Sequence, residues 1–128
     1  MISHVFIGVD DFKRALLFYS AVLHALDLEM KFSEPDKDWA GWVARDQPRP
    51  LFVIGRPFDG APHQAGNGQM IALLAPTRSV VDAVHAAAVE QGGRCEGAPG
   101  LRPHYHPNFY GAYFRDLDGN KLCVCCHD

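Results

Sequence analysis

Residues Gly111 to His127 read GAYFRDLDGNKLCVCCH, the most regular piece of the chain. Two strand-like runs, Gly111 to Arg115 and Lys121 to Cys126, flank Asp116-Leu117-Asp118-Gly119-Asn120. Aromatics mark the first run and apolar residues the second. The Asp and Asn residues between them favour a turn and Gly119 tolerates a positive φ, so the stretch predicts a β-hairpin. Alternation along the second run puts Cys123 and Cys125 on one face and Cys126 on the other. The letters Asp-x-Asp-Gly also invite a calcium loop. An EF-hand needs its glycine at the sixth position and a bidentate glutamate at the twelfth, whereas Gly119 is fourth from Asp116, so the spacing rules this out.

Upstream of the hairpin one order of elements occurs twice. Ile2 to Val9 reads as a buried strand with His4, Phe6 and Gly8 on one face. Asp10 or Asp11 caps a helix to about Leu26, whose stripe is Phe12, Ala15, Leu16, Tyr19, Val22, Leu23 and Leu26. Leu28 to Ser33 is a short strand stopped by Glu34-Pro35-Asp36-Lys37-Asp38, and Trp39 to Arg45 with Pro50 to Gly55 makes a hairpin. Arg56 to Gly68, rich in Gly and Pro, reads as a linker. Gln69 to Ala75 then repeats the strand, and Ser79 with Asp82 suggests a capping box. Val81, Val84, Ala88 and Val89 give a helical stripe ending at Gly92-Gly93, and Gly97 to Pro107 reads as a loop before the closing hairpin. Overlaying the halves sets His4 on Met70, an offset of 66, and Asp46 on Asp116, an offset of 70. The chain is therefore an internal duplication of strand, helix and three strands.

Tyr113-Phe114-Arg115-Asp116-Leu117-Asp118-Gly119-Asn120-Lys121 resembles the closing hairpin of the vicinal oxygen chelate superfamily, the glyoxalase, bleomycin-resistance and extradiol-dioxygenase proteins. The resemblance implies one α+β domain over residues 1–128, with module one over about 1–56, a linker over about 57–68 and module two over about 69–128. Two such βαβββ modules are expected to form a curved, cavity-enclosing mixed sheet with the helices outside. Relatives of this size commonly cover their cavities with a second chain, which implies a homodimer.

In metal-dependent members, four ligands come from the first and last strands of each module, in the pattern His or Gln, Glu, His, Glu. Carried over, these positions are His4, about Val53, Met70 and Cys123, so only the first keeps its donor. Valine and a thioether do not replace a carboxylate, and two donors hold a divalent ion weakly. No cofactor is expected; a divalent metal is the alternative. His4 is then a cavity ligand or base, or else a locally bonded histidine; Met70 is packing or pocket wall; and Cys123 is packing by default, with a reactive thiol or a metal ligand beside Cys125 and His127 as the alternatives. Phe6, Trp42 and Tyr113 are further pocket candidates, with Trp39, Phe109 and Tyr110 as aromatics that are otherwise core. His104 and His106, stiffened by Pro103 and Pro107, lie in a loop able to act as a lid.

Composition narrows the partners. At 128 residues, 48% hydrophobic and 21% charged, the chain has an ordinary globular balance. A net charge of -3 without a basic cluster excludes a nucleic-acid surface. No apolar run spans a bilayer and no basic, apolar start marks a signal peptide, so a cytoplasmic protein with reduced thiols at Cys95, Cys123, Cys125 and Cys126 is expected. No phosphate loop, Gly-x-Ser-x-Gly elbow or HExxH is present. The leading expectation is a protein with a degenerate metal site that binds a small organic molecule in its cavity. The alternatives are a metal-dependent lyase, dioxygenase or glutathione-type transferase of the same superfamily, or a subunit with no ligand.

Overall fold

The computed structural model describes residues 1–128. Its elements are β1 (His4–Gly8), α1 (Phe12–Ala25), β2 (Leu28–Glu34), a 3-10 turn (Pro35–Lys37), β3 (Trp39–Ala44), β4 (Leu51–Gly55), β5 (Ile71–Leu74), α2 (Arg78–Glu90), β6 (Arg94–Leu101), β7 (Tyr110–Arg115) and β8 (Lys121–Cys126). Strand, helix and three strands thus occur twice, each set forming its own open four-stranded sheet, in the orders β1-β4-β3-β2 and β5-β8-β7-β6. First and last strands run parallel and the remaining pairs antiparallel, so both sheets are mixed and the fold is α+β. The duplication holds in register. Val5 pairs with Phe52 and Phe6 with Val53; shifted by 66 on the first strand and 70 on the last, Ile71 pairs with Leu122 and Ala72 with Cys123.

Each helix covers one face of its own sheet, and the helices pack on each other. The result is one core of 22 buried residues drawn from both modules, including Phe18, Tyr19 and Leu23 of α1, Val81 and Val84 of α2, and Phe114 and Leu122 of the closing hairpin. Each such side chain contributes about 1.5–3 kcal/mol by leaving water. The α1 stripe differs from the sequence reading in that Phe18 is fully buried and Leu16 only half-buried. No helix is long and apolar enough to cross a membrane.

Asp11 caps α1, its Oδ1 accepting from the Arg14 amide at 3.2 Å. The cap of α2 is Thr77, whose Oγ1 accepts from the Val80 amide at 3.3 Å, and not Ser79. Thr77 has the extended backbone a cap requires, while Ser79 already lies in the first turn. Asp82 is engaged elsewhere, accepting from the Tyr110 hydroxyl at 2.6 Å. The helix stops where Gly92 takes a φ of 97°.

Two strand readings also need correction. β1 is buried only at its end, because it is a sheet edge and its His4 and Phe6 face is open. The segment read as a loop from Gly97 begins inside β6, which runs to Leu101. β6 is an edge strand with register shifts at Cys95/Gly97 and Gly97/Gly100, a place where Pro99 and the glycines are tolerated.

The turn of the closing hairpin joins the modules. Asp116, only 6% exposed, accepts from the amides of Asp118 (2.9 Å) and Asn120 (2.8 Å) on one oxygen, and from Asn120 Nδ2 (2.8 Å) and the Tyr19 hydroxyl (2.5 Å) on the other. Asn120 Nδ2 also donates to the Gly8 carbonyl at 3.1 Å, and Asp118 Oδ1 accepts from the Asp10 amide at 3.0 Å. The linker is drawn into the same junction: His63 bonds Asn120 through its ring (2.7 Å) and donates its amide to Asp10 (2.7 Å). A side chain at Gly8 would collide with the His63 ring.

Candidate functional site

Alternation along β1, β3 and β4 assigns their side chains to two faces. Ile7, Ala40, Trp42, Phe52 and Ile54 join the core under α1, and His4, Phe6, Trp39, Val53 and Gly55 turn away from it. Trp42, expected in the pocket, is therefore placed in the core, 2% exposed and paired across the strands with Phe52. The tryptophan of the open face is Trp39.

On this face an open groove of about 440 Å³ is lined by His4, Phe6, Lys37, Trp39, Gly55, Arg56 and Phe58. Phe6 is 49% and Trp39 37% exposed, and Phe58 projects fully into solvent. The Trp39 indole N–H donates to Glu34 at 3.1 Å, and Lys37 pairs with the other oxygen of the same carboxylate at 3.1 Å. His4 Nδ1 lies 3.0 Å from the Ser3 hydroxyl. Val53 is buried beside Phe6 and Gly41, and a side chain at Gly41 would run into the Phe32 ring.

The open face of module two has a different chemistry. Cys123 is buried between Ala72 and Tyr113, and burial pushes its thiol up to about 12, with Cys125 adding to the effect. Burial likewise raises Tyr113 to about 12, with Cys123 and Tyr105 contributing. The guanidinium of Arg102 sits 5.6 Å from the Tyr113 ring centroid and donates to the Ala98 carbonyl at 2.7 Å. The loop after β6 carries Tyr105 onto Phe109, with His104 stacked outside it. His106 reaches His127, Nε2 to Nδ1, at 2.8 Å, and His127 Nε2 lies 3.8 Å from Cys125 Sγ.

The predicted site residues therefore fall into separate places. His4 and Phe6 share the groove of module one; Tyr113 and Cys123 lie together on module two, with His106 near Cys125 through His127. Met70 meets Phe6 in a small cleft of about 120 Å³ between the modules, with His63, Gln69 and Lys121. Lys37, Arg56 and Phe58 escaped the sequence reading because they occupy stretches read as a strand breaker and a linker. The position of Arg56 directly after a strand whose last residues alternate between core and open face was the available signal.

The donors do not fit a divalent metal of the kind the family pattern implies. Val53 and Met70 offer no hard donor, and Cys123 puts a buried thiol where the pattern has a carboxylate. No group of three or more His, Cys, Asp or Glu side chains is arranged to hold an ion.

A family model described as the glyoxalase/bleomycin resistance protein/dioxygenase superfamily matches residues 1–124. The chain belongs to that superfamily. It is 35% identical to a glyoxalase/bleomycin resistance protein from Albidiferax ferrireducens, over 98% of both chains, with a TM-score of 0.88. A glyoxalase/bleomycin resistance protein/dioxygenase family enzyme from Burkholderia phytofirmans shares the fold at 18% identity and a TM-score of 0.72, over 98% of both chains. A glyoxalase-related enzyme from Fulvimarina pelagi does so at 14% identity and 0.75, over 98% of this chain and 87% of that one. No curated protein matches the chain.

Proposed function

We propose that this member of the superfamily binds a small organic molecule on the open face of module one, as a cytoplasmic homodimer and without a tightly held divalent metal. The observation that carries the reading is the groove of about 440 Å³ beside His4, with aromatic walls and a volume within the usual range for ligand sites. The loss of both carboxylates from the inherited ligand positions supports binding over metal-assisted chemistry. Exposed apolar side chains on or beside the edge strands β1 and β5, among them Phe6, Met70 and Leu74, support a second copy of the chain as cover.

A thermal-shift screen of metabolites, drugs and thiol conjugates tests the binding reading. A ligand at a hundred times its Kd stabilises the native state by about 2.7 kcal/mol, so at least one compound class is expected to raise Tm, and Phe6→Ala to remove the rise. A flat response at millimolar concentrations across the screen contradicts the reading.

A further inference from the structure

Resting on the binding reading above, we propose that the groove of module one takes a planar aromatic anion, its ring against Phe6 and Trp39 and its carboxylate or similar group on Arg56. Gly55 is the glycine of the groove wall. Its backbone is not among those with a positive φ, so conformation does not require glycine there. Space is tight: an added Cβ would lie 3.0 Å from Phe6 Cζ and 3.2 Å from Trp39 Cβ, so both neighbours would have to give way slightly. Phe6 and Trp39 thus flank a bare stretch of backbone in the groove wall, and no side chain projects from Gly55 between them. Trp39 is fixed in this position by its indole bond to Glu34. Aromatic rings gain most from a ligand that is itself flat and apolar on its faces.

His4, Lys37 and Arg56 line the groove, and no carboxylate does. Glu34 accepts from Lys37 and Trp39, so Lys37 is compensated. None of the five ion pairs in the chain includes Arg56. An uncompensated guanidinium beside exposed aromatic rings matches a carboxylate, sulfonate or phosphate group in a two-pronged contact. A cationic ligand would be repelled by it, and a neutral one would gain less from it.

Isothermal titration of the full chain at low ionic strength with 2-naphthoate and its neutral analogue 2-naphthamide decides the matter. The expected result is binding of naphthoate at least about tenfold tighter than naphthamide, a difference that Arg56→Gln erases and added salt reduces. Gly55→Val is expected to weaken both probes. Arg56 is at the surface, so its substitution leaves the fold intact. Equal or tighter binding of naphthamide overturns the anion assignment while leaving the binding reading standing. Binding by neither probe, together with conversion of a dimer to a monomer by Phe58→Ser, also overturns it and gives the groove to a second copy of the chain. Failure of the binding reading itself is seen separately, in the broad thermal-shift screen.

Discussion

Tyr19, in the first helix of module one, donates its hydroxyl at 2.5 Å to Asp116, in the last turn of module two. The contact ties the most recognisable stretch of the sequence to the other half of the molecule, and it engages the aspartate of that turn. Both its oxygens are taken up by donors.

Removing that hydroxyl should be costly. Tyr19→Phe takes a donor from a buried carboxylate, and bonds to charged groups are worth about 1.5–3 kcal/mol, so a loss of about 2 kcal/mol is expected in urea unfolding. Asp116→Ala strands four donors and should cost on the order of 4 kcal/mol. A Tyr19→Phe variant within about 0.5 kcal/mol of the parent would show that the junction is held by other contacts.

Thiol chemistry should separate the four cysteines. Cys95 is exposed, while Cys123, Cys125 and Cys126 are buried, and the Cys123 thiol is pushed up to about 12. Because the thiolate is the reactive form, an alkylating reagent at neutral pH should label Cys95 rapidly in the native protein and all four cysteines only after denaturation. Fewer than four free thiols in the denatured, unreduced protein would reveal a disulfide that the geometry does not contain.

Alkaline pH should destabilise the fold. The Cys123 thiol titrates at about 12 in the native state but near about 8.5 in an unfolded chain. The native state therefore keeps a proton that the unfolded chain gives up, so this contribution is complete below about pH 8.5 and lost as the pH rises toward about 12. Burial raises Tyr19 and Tyr113 in the same direction. Urea midpoints should fall between about pH 8 and about pH 10.5, less steeply in Cys123→Ala. A midpoint independent of pH over that range would contradict these burial assignments.

Much of this was legible in the chain because the signals were local. The closing hairpin was readable to within a residue, since turn chemistry and alternation act over a few neighbours. The cap of α2 was misplaced because Thr77 and Ser79 offer the same hydroxyl, and only backbone geometry separates them. The start of the last loop was misplaced because Gly97, Pro99 and Gly100 look like a loop in composition, yet an edge strand accommodates them. Trp42 was read as a pocket candidate because β3 is buried on both faces, at Ala40 and Trp42 on one side and at Val43 on the other, so periodicity carried no direction. Arg56 and Phe58 gain meaning only when the linker folds beside β1, a tertiary event that no short window records.

Assembly is a further expectation. Leu74 is 69% exposed on the edge strand β5, and Phe6 and Met70 are also open. Light scattering at micromolar concentration should give a dimer, and Leu74→Asp should shift it toward monomer. A monomer at every concentration tested would contradict the assembly proposed here.

The replacement of the inherited metal ligands is tested most directly by elemental analysis of protein purified without an affinity tag. His4 is exposed, Val53 and Met70 lack hard donors and Cys123 replaces a carboxylate, so zinc, nickel, iron and manganese should each be far below one ion per chain, in the parent and in His4→Ala alike. Near-stoichiometric metal that disappears in His4→Ala would contradict the account and favour metal-dependent catalysis over binding.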